Sequence, residues 1–329
     1  MITEAGFERH AQQPVPRPVS PTEERNPRTR DIDLVSTADM VRMIADEDAA
    51  VVVAVRAAQP RIVEAVDLAV DGIRAGGRVH YVGSGTSGRM GLLDAAELLP
   101  TYGVGEEMFV PHLAGGLAAV RRSAEGAEDD AEAGRALVSD TGPADIVFGI
   151  AASGGTPYVR GALETGRSRG ARTVLLASNP FASLAPLADV PILVNTGPEA
   201  ITGSTRMKAG TAQKMVLNTF STAVMVRLGK TYSNLMVEVL ATNTKLRARL
   251  VRLLGQAADL EPEVCEQALA AAGGDLRVAL VMLVAGVDRS VATAALAASP
   301  GRVAGPSVRE ALATLGAGPA QTIRSEGRR

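Results

Sequence analysis

The 329-residue chain carries 34 Lys and Arg against 36 Asp and Glu, a net charge of −2, so it offers no broad basic field and nucleic acid is not expected as a partner. Hydrophobic residues make up 46% but aromatic ones only 3%, with no Trp, which predicts a core of Ala, Val, Leu, Ile and Met. A single cysteine, Cys265, excludes a disulfide framework and fits a reducing compartment.

Residues 1–21 are polar and Pro-rich and are expected to be mobile; they hold no apolar signal core. A helical segment is expected over 22–66, with Ser36-Thr37-Ala38-Asp39 as a helix start and helix through Val55. Pro60 breaks it, and Ile62, Val66, Ala69 and Ile73 then recur at helical spacing until Gly76-Gly77. Over 67–230 the pattern becomes α/β. Strands are expected at Arg78 to Val82, Met108 to Leu113, Asp145 to Ala152, Ala171 to Ala177 and Val190 to Val194. Helices are expected between them: one ending at Pro100, an acidic one over 117–138, and a long one from Ser204 to Leu228, stopped by Gly229. This alternation predicts a parallel sheet covered by helices on both faces. Residues 231–313 read as a small all-helical part, with Cys265 packed inside it, and 314–329 as a disordered tail. There is no membrane-length apolar run, and the three histidines, His10, His80 and His112, show no metal-ligand spacing. A cytoplasmic protein without metal, cofactor or membrane contact is expected.

Two loops carry the chemistry. Gly83-Ser84-Gly85-Thr86-Ser87-Gly88 follows a strand and opens a helix. Its spacing matches a dinucleotide fingerprint, but Glu106 and Glu107 precede the second strand instead of ending it, where a ribose-binding acid belongs. Ser84, Thr86 and Ser87 suit a terminal phosphate instead, beside the free N–H groups of a helix start. Ser153-Gly154-Gly155-Thr156-Pro157 repeats the arrangement, with Thr156 as cap and Pro157 at the first helical position. Ser153, Gly155 and Thr156 are the candidate contacts there. Two such loops at the carboxyl edge of one sheet point to a small phosphorylated ligand. Each is also compatible with plain helix capping.

The pair resembles the phosphosugar loops of the sugar isomerase (SIS) family, whose fold is a flavodoxin-like sandwich with a five-stranded parallel sheet. Longer segments narrow the likeness. Thr22-Glu23-Glu24-Arg25-Asn26-Pro27-Arg28, Leu93-Asp94-Ala95-Ala96-Glu97, Glu125-Gly126-Ala127-Glu128 and the run from Gly197 to Lys214 resemble N-acetylmuramic acid 6-phosphate etherases. Two positions depart from that pattern: Gly155 replaces a usual Arg, and Leu98-Leu99 a common Cys-Pro. The resemblance implies cleavage of the lactyl ether at C3 by elimination and water addition, giving N-acetylglucosamine 6-phosphate and D-lactate. It places the acid on Glu97 and the base on Glu128. Ser204 and Lys208, in a segment that also holds Arg206 and Lys214, are the expected substrate contacts. Such chemistry needs two carboxyl groups and no metal.

A helix unbroken from Gly88 would set Glu97 about 13 Å from the phosphate loop, which favours action across a homodimer interface. The competing readings are a non-catalytic sugar-phosphate sensor, an aldose-ketose isomerase of the same fold and a nicotinamide dehydrogenase.

Overall fold

The computed structural model describes residues 20–122, 124–238, 244–298 and 307–317. The terminal segments expected to be mobile lie outside these residues, apart from 20–21 and 314–317.

Helix α1 (Thr37–Ala57) starts at Ser36, whose hydroxyl accepts the Asp39 N–H at 3.2 Å. Pro60 lies in the first turn of α2 (Gln59–Arg74), where its missing N–H costs nothing, so the break falls just before it at Ala58. The boundary expected at residue 66 therefore cuts through a continuous helix.

Five parallel strands follow: β1 (Val79–Gly83), β2 (Phe109–Leu113), β3 (Ile146–Ile150), β4 (Arg172–Ala177) and β5 (Val190–Leu193), in spatial order β2-β1-β3-β4-β5. Helix α3 (Gly85–Tyr102) leaves β1, α4 (Ala131–Leu137) precedes β3, α5 (Pro157–Ser168) follows β3, and α6 (Lys208–Arg227) follows β5. Alternate strand residues serve opposite faces. Val79, Tyr81, Ile146, Phe148, Val174 and Leu176 pack with α1, α2, α3 and α6. Val82, Val147, Leu175 and Ala177 pack with α5. Burial on both faces is why β3 reads as an unbroken apolar run rather than an alternating one.

The centre of the first face is aromatic despite the low aromatic content. Tyr81, Phe109, Phe148 and Phe220 meet with ring centroids 4.9 to 6.4 Å apart. Phe220→Ala is expected to destabilise the fold by about 3–5 kcal/mol, read as a fall in the urea midpoint at unchanged slope.

Three elements differ from expectation. The helix expected over 117–138 is a 3₁₀ turn at Gly116–Val120, then turns, then only α4. Gly115, Gly116 and Gly126 take positive φ, and the acids from Glu125 to Asp130 are exposed, with no buried face to hold a helix. Helix α3 runs past Pro100 to Tyr102, and left-handed Gly103 ends it. Helix α6 begins at Lys208 rather than Ser204, because residues 201–207 form turns.

The carboxy-terminal part has its own core. It opens with a short hairpin, β6 (Thr231–Tyr232) and β7 (Leu235–Met236), that the sequence did not suggest. Helices α7 (Thr244–Ala258), α8 (Pro262–Ala271), α9 (Leu276–Ala285), α10 (Arg289–Ala297) and α11 (Val308–Thr314) follow. Cys265 is buried among them. Among the described residues no single helix is long and apolar enough to cross a membrane.

Candidate functional site

Strands β1 and β3 are neighbours, yet the chain leaves them toward opposite edges and opposite faces of the sheet. Their carboxyl ends thus define the crevice where open α/β sheets receive ligands. Both hydroxyl loops sit there. In the first, Ser84 caps α3 by backbone position only; its side chain makes no capping hydrogen bond. Ser84 and Thr86 are half-buried with hydroxyls facing no helix amide, whereas Ser87 is buried and accepts from Gln213 Nε2 at 3.0 Å. A Cβ on Gly88 would lie 2.4 Å from the Gly83 carbonyl oxygen, so this glycine lets the helix start fold tightly onto the strand end.

In the second loop Thr156 caps α5, again without a side-chain hydrogen bond. Ser153 is exposed; its hydroxyl accepts the Gly155 N–H at 3.3 Å, and Asn179 Nδ2 donates to its carbonyl at 2.9 Å. At Gly155 a Cβ would meet nothing nearer than Ser183 Oγ at 3.5 Å. The glycine therefore relieves no clash; relative to Arg it removes a cation from the loop.

Glu128 is distant from this loop in sequence and adjacent in space. Its carbonyl accepts the Tyr158 N–H at 3.0 Å, in the first turn of α5. Helices α4 and α5 approach backbone to backbone: Cβ atoms on Gly134 and Gly161 would lie 2.0 Å from the carbonyl oxygens of Tyr158 and Ala131. On the other side, Arg89 of α3 donates to the carbonyls of Ala119 at 2.7 Å and Val120 at 3.1 Å. The segment after β2 is thus tied to the starts of both α3 and α5, and its Glu128 carboxylate is exposed between those ties. Burial pushes the Tyr158 phenol up to about 12, with the nearby Asp130 charge adding to it.

Glu97 is not brought to its own loops. Helix α3 is unbroken from Gly85, which sets Glu97 about 18 Å along the axis from the helix start. It lies on the exposed face of α3 with Leu93, Ala96 and Pro100, one apolar stripe at i−4, i−1 and i+3.

Ser204 is half-buried in the turns before α6. The neighbouring Thr205 carbonyl accepts the Gly210 N–H at 2.9 Å, and a Cβ on Gly210 would lie 3.3 Å from Thr86 Cγ2. This segment therefore flanks the first loop. Lys208 must be corrected: it does not reach the crevice. Its Nζ lies 2.7 Å from Glu47 Oε2, with both side chains at 1–2% exposure. Arg28 donates to the same carboxylate, and these bonds hold it down to about 2 against the opposing effect of burial. Arg206 and Lys214 are exposed.

Other polar residues had no visible signal in the sequence. Glu199, fully buried, accepts the Lys208 and Ala209 N–H groups at 2.8 and 3.0 Å and caps α6. Asp94 accepts from Tyr81, Asn218 and Ser221 at 2.8 to 3.0 Å, and burial raises its pKa. Ser178 Oγ, Thr196 Oγ1 and Gln213 Oε1 are buried without a protein partner. Ser178 and Thr196 follow the ends of β4 and β5, and Gln213 abuts Ser87, whereas His80 Nε2, also buried without a hydrogen-bond partner, lies near the start of β1. His80 and His112, far apart in sequence, stack 5.3 Å apart with their ring nitrogens 3.0 Å from one another. Burial lowers both pKa values, that of His112 to about 4, and no metal-binding cluster of His, Cys, Asp or Glu occurs among the described residues.

Residues 61–167 match the glucokinase regulatory protein N-terminal SIS domain family, and residues 123–223 match the SIS domain family. The chain is 56% identical over 264 residues to the N-acetylmuramic acid 6-phosphate etherase of Thermobifida fusca, an alignment covering 80% of this chain and 87% of that one. It is 52% identical to the enzyme of that name from Symbiobacterium thermophilum, covering 81% and 89%. With that of Deinococcus radiodurans the identity is 48%, over 85% and 92%.

Proposed function

The chain belongs to the N-acetylmuramic acid 6-phosphate etherase family, and from that premise we propose how its residues divide the work. The protein is an etherase that releases D-lactate from N-acetylmuramic acid 6-phosphate and leaves N-acetylglucosamine 6-phosphate. The phosphate is held by the hydroxyls of Ser84, Thr86 and Ser87, with Ser153, Thr156 and the backbone of Gly155 closing the crevice from the second loop. Ser204 flanks them. With Lys208 committed to Glu47, Arg206 and Lys214 are the cations left for the lactyl carboxylate.

Opening of the sugar ring exposes an aldehyde at C1, which acidifies the C2 proton. Glu128 takes that proton, leaving an enolate whose charge is spread onto the C1 aldehyde oxygen; the electron pair then forms the C2–C3 double bond as the C3–O bond breaks. Glu97 protonates the departing lactate oxygen. Water then adds at C3, giving its proton to Glu97, while Glu128 returns one to C2, so both carboxyl groups end as they began. The observation that carries this reading is the hydrogen bond from Tyr158 N–H to the Glu128 carbonyl, which seats the base beside the second hydroxyl loop at the β1/β3 crevice.

Glu97 enters from a second copy of the chain. Its distance along α3 and the exposed apolar stripe around it support a homodimer in which each site borrows the acid of its partner. The lone buried cysteine and the substrate's place in amino sugar recycling fit a cytoplasmic enzyme. The regulator reading suggested by the 61–167 match is not favoured, since the relatives that span most of the chain are etherases.

The deciding experiment is an assay of lactate release from N-acetylmuramic acid 6-phosphate. Stoichiometric lactate and N-acetylglucosamine 6-phosphate are expected. A folded protein that binds the sugar phosphate yet releases no lactate overturns the enzyme reading.

A further inference from the structure

The segment at 20–30 and the segment at 197–208 are separated by more than a hundred residues and are built as one unit. Asn26 Nδ2 donates to the Pro198 carbonyl at 3.3 Å, and Thr29 Oγ1 to the Ala200 carbonyl at 2.8 Å. Thr22 returns the exchange, its carbonyl accepting the Gly203 N–H at 3.0 Å. Thr22, Asn26 and Thr29 are all buried. A second tie runs through charge: the Glu47 carboxylate of α1 joins Arg28 of the amino-terminal segment to Lys208 at the start of α6.

Within this segment Glu199 secures the start of α6, but the stretch between them has only short turn hydrogen bonds of its own. Residues 201–207 form only turns, and 201–203 and 206 are exposed; a stretch with so few buried contacts opens locally at small cost unless anchored. It leads into α6, whose first turns meet the first hydroxyl loop through Gly210 against Thr86 and Gln213 bonded to Ser87. A displacement at Ala200 or Gly203 is thereby passed to Ser204, Thr205 and the Ser87 hydroxyl, and a site that grips a phosphosugar tolerates little misplacement.

We propose that the amino-terminal segment is a positioning element of the sugar-phosphate site: Thr29, Asn26 and the Arg28–Glu47–Lys208 bridge set substrate affinity by holding the 197–208 segment in register, not by contact. This rests on the proposed reading that Ser84, Thr86, Ser87 and Ser204 bind the phosphosugar. It also gives Lys208 a role distinct from direct binding. The hydrogen bond from Arg28, ahead of that from Lys208, holds the Glu47 carboxyl down to about 2.

The test compares Thr29→Val, which removes one hydroxyl at constant shape, with Thr29→Ser, which keeps it, and with Glu47→Gln. Thr29→Val is expected to raise KM for the substrate at least fivefold, and Glu47→Gln at least tenfold, with kcat within twofold. Thr29→Ser should restore the wild-type KM, and the double variant should exceed the worse single one by no more than twofold, because both act on one segment. In Thr29→Val the amides of Gly203 and Gly210 should exchange hydrogen faster. A lowered melting temperature with unchanged KM, or a Thr29→Ser as impaired as Thr29→Val, overturns the inference. If the wild type neither binds N-acetylglucosamine 6-phosphate nor releases lactate, the underlying reading fails by itself. Amide exchange then still decides whether the segment is held as described, and protection unchanged in Thr29→Val sinks that too.

Discussion

Glu128→Gln is expected to lower kcat by about 10²–10⁴-fold, the usual worth of a positioned acid or base, while KM changes less than threefold. Glutamine keeps the size of the side chain, and the hydrogen bond that seats residue 128 is made by its backbone carbonyl, so substitution leaves the ties to Tyr158 and Arg89 untouched. What is lost is the ability to take the proton from C2. The division of labour gives a sharper readout than rate alone. In deuterated water, Glu128→Gln should leave C2 of a bound sugar phosphate unlabelled. Glu97→Gln should stop lactate release by a similar factor yet still exchange the C2 proton, since its base is intact. If Glu97→Gln abolished exchange as completely as Glu128→Gln, the assignment of separate roles would be wrong.

Much of this site was legible because its chemistry is local. A strand, a loop of small hydroxyl residues and a helix start are contiguous in sequence, so Ser84–Ser87 and Ser153–Thr156 announce themselves twice. Neither the bridging position of Glu128 nor the burial of Lys208 is local. Glu128 sits in an acidic stretch that reads as a solvated face, and before α4 that stretch folds as turns, not helix, with Gly126 in left-handed conformation two residues ahead of it. Only the close crossing of α4 and α5, at Gly134 and Gly161, carries it to the second loop. Lys208 reads as a surface cation beside other cations. It is buried because Glu47, 161 residues away, supplies the counter-charge, and a buried lysine without such a partner would not persist. The contact between His80 and His112 is likewise not local: the sheet stacks two rings that are far apart in sequence, and burial lowers both pKa values.

The distance along α3 makes its own prediction, because a site completed by a second copy can be rebuilt from two inactive ones. Consider Glu97→Gln, which retains its loops, and Ser84→Ala/Thr86→Ala, which retains its acid. Each alone should be nearly inactive. In a two-fold dimer of one of each, the intact loops of the first face the intact Glu97 of the second, and the other site carries both defects. Random reassociation of an equal mixture yields half mixed dimers, each with one working site of two, so about a quarter of wild-type activity should return. If Glu97 served its own subunit, both sites of a mixed dimer would be defective and mixing would restore nothing. The recovered fraction should also fall on dilution below the dimer dissociation constant, whereas a within-chain site would be insensitive to concentration. Recovery would show that α3, which begins at Gly85, carries Glu97 away from the first loop and toward the crevice of a partner.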